Sequence, residues 1–182
     1  MRNLSCVAGV VLVLSLCAAA ADQPRVEFFG GPSWAHLDHT GISVSGLKDN
    51  YWGWAAAANF NANKWIGLKA DISGHYGDVV PGTSANSYSF LFGPQISIRG
   101  EHATPFAHAL FGFNRVSSSG ASDTAFAMAF GGGLDLNVSK VLAVRLGQLD
   151  WLHTRHDARS LGGREFQNNI RYAGGIVLRF GE

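Results

Sequence analysis

The sequence predicts an all-β fold: an eight-stranded, antiparallel, up-and-down transmembrane β-barrel that follows a cleaved signal peptide. Three observations predict it. Apolar and small-or-polar residues alternate at period two over many segments, the signature of strands with two unlike faces. Composition is charge-poor, with 15% charged residues against about 25% in an average soluble domain. It is also rich in Gly (23) and aromatics (12 Phe, 5 Trp, 4 Tyr). Finally, connections between the alternating segments are long and short by turns. The apolar content excludes a disordered chain. A net charge of +1 without a basic run excludes nucleic acid as a partner, since that needs a cationic footprint.

Residues 1–21 read as a secretory signal. Arg2 supplies the positive start, an apolar stretch runs from Cys6 to Ala21 broken by Ser15, and Ala18-Ala19-Ala20-Ala21 satisfies the small-residue cleavage pattern. The stretch is short for a membrane-spanning helix, which needs about 20 apolar residues. Lipidation at Cys17 is disfavoured because Leu16 stands where a small residue is wanted. Removing the signal takes both cysteines, so the domain over 22–182 has no disulfide framework and no thiolate metal site. It also takes Arg2, leaving 13 Lys and Arg against 13 Asp and Glu.

Eight segments carry the alternation: Val26–Leu37, Tyr51–Asn61, Trp65–Tyr76, Ser87–Arg99, Pro105–Val116, Ala125–Val138, Val141–His156 and Asn168–Phe180. In the third, Ile66, Leu68, Ala70, Ile72 and Tyr76 share one face, and Lys69, Asp71, Ser73 and His75 share the other. In the fourth, Tyr88, Phe90, Phe92, Ile96 and Ile98 oppose Ser87, Ser89, Gln95, Ser97 and Arg99. In the sixth, Phe126, Met128, Phe130, Leu134 and Leu136 oppose Ala125, Ala127, Ala129, Gly131, Gly133 and Asp135. The large apolar faces are too continuous to meet water, and the small faces too poor in bulk to fill a dry globular core. Lipid outside and a narrow polar lumen inside satisfy both. Long connections are expected at Asp38–Asn50, Gly77–Asn86, Ser117–Thr124 and Asp157–Gln167, and short ones at Ala62–Lys64, Gly100–Thr104 and Ser139–Lys140. Both termini then lie on the short-turn side.

Aromatics gather at strand ends, as amphipathic rings at a membrane interface do. Trp34, Trp52, Trp54, Tyr76, Tyr88, Trp151 and Tyr172 are placed near the long-loop ends; Phe28, Phe60, Trp65, Phe106 and Phe180 are placed near the short turns. A β-sandwich core would not require that clustering.

Together these features resemble the small outer-membrane β-barrel domain proteins, the OmpA-like and OmpX-like eight-stranded group. The resemblance covers the whole exported chain. It is most specific from Asn59-Phe60-Asn61 to Gly77, and at Phe92-Gly93-Pro94, Thr104-Pro105-Phe106-Ala107, Gly131-Gly132-Gly133-Leu134-Asp135 and from Gln167-Asn168-Asn169 to the end. It implies a bacterial outer-membrane location, contact with outer-membrane lipids and lipopolysaccharide, a monomer, and passage through periplasmic chaperones and the barrel assembly machinery. Gly175, Leu178 and Phe180 match the family's C-terminal assembly signal, whereas Ala173 replaces its usual polar residue and Gly181-Glu182 extend beyond it. Members are structural proteins, narrow channels, adhesins or lipid-modifying enzymes, so the fold leaves the function open.

Alternation points Glu27, Lys69, Asp71, Gln95, Arg99, His108, Asp135, Arg145, Arg171 and Arg179 into the lumen. Charges there must be paired, because an isolated buried one costs several kcal/mol. If Val138 faces Leu142 across the short turn, Asp135 faces Arg145. Glu27 and Arg179 can meet where the first and last strands close the barrel. Strict alternation from Arg145 would aim Gln148 and Asp150 at lipid, so a β-bulge near Gly147 is expected to turn them inward and Leu149 and Trp151 outward. Pairing Thr154 with Gln167 then sets Asp150 opposite Arg171. The charges read as a structural plug or as the lining of a narrow ion path, since eight strands enclose little more than their own side chains.

Catalytic, cofactor and metal sites find little support. His36-Leu37-Asp38-His39 and His153-Thr154-Arg155-His156 put their paired rings on opposite strand faces, which makes a poor chelate. Ser73-Gly74-His75 is the nearest approach to a Ser–His pair, with both side chains inward. Gly131-Gly132-Gly133 lies mid-strand and serves close packing, not phosphate binding. The leading expectation is therefore a non-catalytic structural or narrow-channel barrel. The alternatives are an adhesin using its outer loops, where Arg155, Arg159 and Arg164 could attract anionic head groups or glycans, and a lipid-modifying enzyme.

Overall fold

The computed structural model describes residues 23–37, 50–80, 83–118, 121–158 and 163–181. Eight strands run in sequence order: β1 (Val26–Leu37), β2 (Asn50–Asn61), β3 (Ile66–Val80), β4 (Thr83–Ser97), β5 (Ala103–Ser118), β6 (Ala121–Asn137), β7 (Leu142–Ala158) and β8 (Gly163–Phe180). Each pairs antiparallel with its neighbours, and β8 returns to β1 to close the barrel. Closure removes the unpaired edges that a sheet in hydrocarbon could not leave open. The expected signal over residues 1–21 lies outside the described residues, as do Asp38, His39 and Arg159 and the side chains of Arg155, His156 and Arg164.

The short turns are fixed by local polar groups. Asn63 Oδ1 accepts from the main-chain N–H of Trp65 (2.8 Å) and Ile66 (2.9 Å). Ser139 Oγ accepts from Leu142 N–H (3.1 Å), and Val138 N–H donates to the Leu142 carbonyl (3.0 Å). That turn sets Asn137 opposite Ala143 and Asp135 opposite Arg145.

At the other end the strands outrun the sequence expectation. The connection expected over Gly77–Asn86 is mostly ladder: β3 reaches Val80 and β4 starts at Thr83. The one expected over Ser117–Thr124 shrinks to the interval between Ser118 and Ala121, and the one over Asp157–Gln167 to that between Ala158 and Gly163. Apolar alternation marks where a strand meets lipid, but main-chain pairing needs no apolar face and continues beyond the bilayer. The reading of three of the four long connections as loops is thereby corrected.

β7 carries one extra residue. Leu134 pairs with Gly147 and Asp135 with Arg145; on the other side Gln148 pairs with Ala173 and Arg145 with Gly175. The bulge at Leu146-Gly147 inverts the alternation, so Gln148 and Asp150 are fully buried while Leu149 and Trp151 are 59% and 51% exposed. Thr154 pairs with Gln167 and Asp150 with Arg171.

The outer wall is Phe, Trp, Ile, Leu and Val, with exposed residues on every strand, from Phe28 on β1 to Phe180 on β8. The inner wall has two small apolar clusters on opposite sides. Phe29, Ala55, Ala143, Ala173 and Val177 form one; Leu91, Leu110, Ala127, Ala129 and Leu152 form the other. Buried polar side chains fill the space between.

Candidate functional site in the barrel lumen

The strands converge their inward side chains on a continuous ionic network. Its centre is Arg171 on β8, whose side chain is completely buried. Its Nη1 donates to Asp71 Oδ1 (2.7 Å) and Ser73 Oγ (2.8 Å) on β3, and its Nε and Nη2 donate to Asp150 Oδ2 on β7 (2.9 and 2.6 Å). Asp150 also accepts from Gln148 Nε2 (2.7 Å) and from His108 Nε2 (2.8 Å). A carboxylate can only accept, so His108 carries its proton on Nε2 there and offers Nδ1 to the Lys69 ammonium at 3.5 Å. Lys69 donates to Gln148 Oε1 (3.0 Å) and lies 3.7 Å from Asp71. Since β3 and β7 are opposite walls of the eight-strand ring, the Lys69–Gln148 bond spans the lumen with two side chains.

Arg145 forms a second layer. It makes a forked contact with Asp135, Nε to Oδ1 at 2.7 Å and Nη2 to Oδ2 at 3.1 Å, and its Nη1 donates to Gln148 Oε1 (2.7 Å). Its guanidinium lies 4.3 Å from the centre of the Phe29 ring and 4.2 Å from that of Phe106. Cation–π attraction supplements the ion pair where water is excluded. Phe106 is therefore an inward residue, 6% exposed, and its expected place in the interfacial aromatic girdle is corrected. Inward-facing His108, two residues on, fixes that parity.

The glycines of β6 make room for this packing. A Cβ at Gly131 would strike Asp150 Oδ1, and one at Gly133 would come within 2.7 Å of the Phe106 ring. Three lysine and arginine charges (Lys69, Arg145, Arg171) face three aspartates (Asp71, Asp135, Asp150), so the central network is neutral.

A third group lies at the short-turn mouth. Arg179 Nε donates to Glu27 Oε1 (2.9 Å) across the closing seam, and Arg99, just past β4, forks onto the same carboxylate (2.9 and 3.3 Å). Asn59 Nδ2 adds a bond at 3.1 Å.

Sequence reasoning did not foresee the Phe29–Arg145–Phe106 stack, the Asn59 contact or a buried Ser33–His75 pair. Ser33 Oγ donates to the Tyr172 carbonyl (3.2 Å) and lies 3.0 Å from His75 Nε2. With its proton committed to the carbonyl, the hydroxyl accepts from His75, the reverse of nucleophile activation. Ser73 and His75 are both buried, but Ser73 serves Arg171 and His75 serves Ser33. Among the described residues, no group of three His, Cys, Asp or Glu is arranged to hold a metal ion.

The other aromatics expected at the membrane interface lie on the outward face. Trp52, Trp54, Trp65, Tyr76, Trp151, Tyr172 and Phe180 are exposed, while Trp34 and Tyr88 are half-buried. Trp54 Nε1 donates to Tyr76 Oη (3.1 Å), which also accepts from Tyr88 Oη (3.4 Å). In the C-terminal motif, Leu178 and Phe180 face outward at 41% and 48% exposure, and Gly175 packs against the Gly30–Gly31 backbone.

Comparison with known proteins adds the following. No curated protein sequence matches the chain. Among solved structures, it is similar to Neisserial surface protein A, with 12% identity, 86% of this chain and 97% of that chain covered, and a TM-score of 0.66. It is also similar to the attachment invasion locus protein Ail of Yersinia pestis (16% identity, 87% and 99% covered, TM-score 0.56). A third likeness is to OprG of Pseudomonas aeruginosa (11% identity, 90% and 99% covered, TM-score 0.57). At such identities the likeness is one of fold. The family model for the outer membrane protein beta-barrel domain matches residues 6–174. The chain is thus an integral protein of the bacterial outer membrane and belongs to the outer membrane protein beta-barrel domain family.

Proposed function

We propose that this barrel is a closed, structural outer-membrane protein whose ionic lumen is a plug and not a conduction path. One observation carries the proposal: Asp71, Ser73, Gln148, Asp150 and Arg171 are buried to 1% exposure or less in mid-barrel and bonded to one another. Conduction would require ions to enter between groups already bonded to one another, and the Lys69–Gln148 bond crosses the lumen. Eight strands leave an interior only wide enough for such side chains. Residues 1–21 then serve export and are removed, and 22–182 form the barrel. The barrel reaches the membrane through periplasmic chaperones and the assembly machinery, with Gly175, Leu178 and Phe180 as the recognised end, and works there as a monomer. No catalytic residue is assigned.

Single-channel recording in planar bilayers tests this. Barrel shown to be folded by heat-modifiable gel migration is expected to give no discrete steps in high salt. Steps from the wild type that change on Asp135→Asn or Arg145→Gln would overturn the proposal and make the charges a path.

A further inference from the structure

At the short-turn mouth, charge and hydrogen bonding do not balance. Arg99 and Arg179 share the single carboxylate of Glu27, so two guanidiniums face one anion. Asn59 occupies a further lone pair of that carboxylate. Among the described residues, two buried donors there, Arg99 Nε and Arg179 Nη2, have no hydrogen-bond partner, and neither do two buried acceptors, Gln23 Oε1 and Asn59 Oδ1. The Arg179 side chain is only 7% exposed. A buried donor without an acceptor is rare and calls for an explanation.

Both arginines line one cavity of about 390 Å³. Its other walls are Gln23-Pro24, the turn at Gly100-Glu101, the turn at Val138-Ser139-Lys140, and Thr104 and Asn137. Among the described residues that line it, Glu101 and Lys140 bring one charge of each sign, so the excess there is the second guanidinium. Asn137 is already committed: its Oδ1 accepts from Arg179 Nη1 (2.6 Å) and its Nδ2 donates to the Gly100 carbonyl (2.8 Å). The described residues around the cavity thus combine an excess positive charge, two arginines that each hold an N–H donor without a partner among them, and walls held in place by main-chain bonds. Arginine forks suit oxyanions in this way.

We infer that the short-turn mouth is an oxyanion-binding site, with Arg99 Nε and Arg179 Nη2 as the paired donors, and that its ligand is a phosphate group. Short turns of outer-membrane barrels face the periplasm. Trp65 and Phe180, exposed at the same end, set the mouth near the head groups of the inner leaflet, where phosphate is the prevailing anion. The cavity accepts either a free phosphate or the head of a phospholipid. This inference does not rest on the lumen being a plug.

The test uses the refolded barrel in alkyl maltoside micelles, which contain no phosphate, with ¹⁵N-labelled arginine. Inorganic phosphate is titrated against sodium chloride of equal ionic strength while the Nε–Hε resonances are followed. Saturable shifts at Arg99 and Arg179, with none at Arg171 deep in the lumen, are expected. Arg179→Gln should weaken the Arg99 response at least tenfold. If that variant does not fold, Arg99→Lys, which keeps the charge and loses Nε, should weaken the Arg179 response to the same degree. Nanodiscs of phosphatidylglycerol identify the source. A lipid head would place the Arg99 resonance at its phosphate-saturated position before phosphate is added. A free anion would leave it responsive. No saturable shift in either medium, a response equalled by chloride, or an undiminished response in a folded variant would each overturn the inference.

Discussion

Replacing Asp150 by Asn and Arg171 by Met, singly and together, probes whether the lumen is one coupled network. Asp150 accepts from Arg171, Gln148 and His108, and both partners of the ion pair are completely buried. Either single change leaves the central network with an unpaired charge, +1 for Asp150→Asn and −1 for Arg171→Met. Breaking a buried pair in this way costs about 3–5 kcal/mol. The double variant keeps Lys69 and Arg145 against Asp71 and Asp135 and is neutral again. Its cost is expected to fall about 2–3 kcal/mol short of the sum of the singles, the coupling typical of directly bonded groups. Urea unfolding in lipid vesicles measures it, because all five tryptophans lie on the outward face, where insertion into lipid shifts their emission; the denaturant slope should stay constant. Costs that add to within about 0.5 kcal/mol would refute the network, as would a single Asp150→Asn variant that loses less than about 1 kcal/mol.

Other perturbations test separate parts of the lumen and wall. Gly131→Val should prevent formation of the heat-modifiable barrel, because its side chain enters the space of Asp150 Oδ1; a folded variant would show the Gly131–Asp150 packing to be slack. Phe106→Ala should cost about 3–5 kcal/mol in the same unfolding assay, as removal of a buried aromatic does, with loss of one face of the Arg145 stack. A cost below about 1 kcal/mol would return Phe106 to the lipid face. Tyr172→Phe should cost about 1–2 kcal/mol, since its hydroxyl donates to the Leu146 carbonyl at 2.6 Å and that carbonyl would lose this partner. Leu178→Ala and Phe180→Ala should slow insertion by assembly machinery reconstituted in vesicles more than they slow spontaneous refolding; equal effects would deny those residues a recognition role.

How much of this lumen is legible in the sequence depends on the distance over which residues meet. Parity along a strand places Lys69, Asp71, Asp135 and Arg145 inside, and a short turn at Ser139-Lys140 suffices to set Asp135 against Arg145, ten residues away. The link from Arg171 to Asp71 spans 100 residues and joins strands that are not neighbours. Register between adjacent strands carries no information on it; only the closed diameter and stagger of the ring bring β3 and β8 together. Phe106 is a different case. Apolar residues occupy both faces of β5 from Phe106 to Phe111, so hydrophobicity cannot choose a face there, and the polar His108 is the usable signal. The overlong strands have a third cause, because the apolar pattern reports lipid and the ladder does not need it.

The bulge in β7 shows how these scales are reconciled. Its outer face offers little guidance, since lipid chains solvate Leu146, Leu149 and Trp151 about as well as protein does. Polar contacts must therefore choose the register, and β7 meets two demands that differ by one residue. The turn after β6 sets Arg145 on Asp135, while the pairing with β8 sets Asp150 on Arg171. A regular strand satisfies one of these and drives the other charge into hydrocarbon. One extra residue at Leu146-Gly147 satisfies both. Gly147 permits it because the Tyr172 ring packs where a side chain would stand, with Tyr172 Cε2 2.8 Å from an ideal Cβ. The same tyrosine caps the Leu146 carbonyl exposed by the irregular ladder. In this barrel the buried ions therefore act chiefly on register: a slip of one residue in β7 would separate both pairs at once, a penalty that the outward apolar face cannot impose.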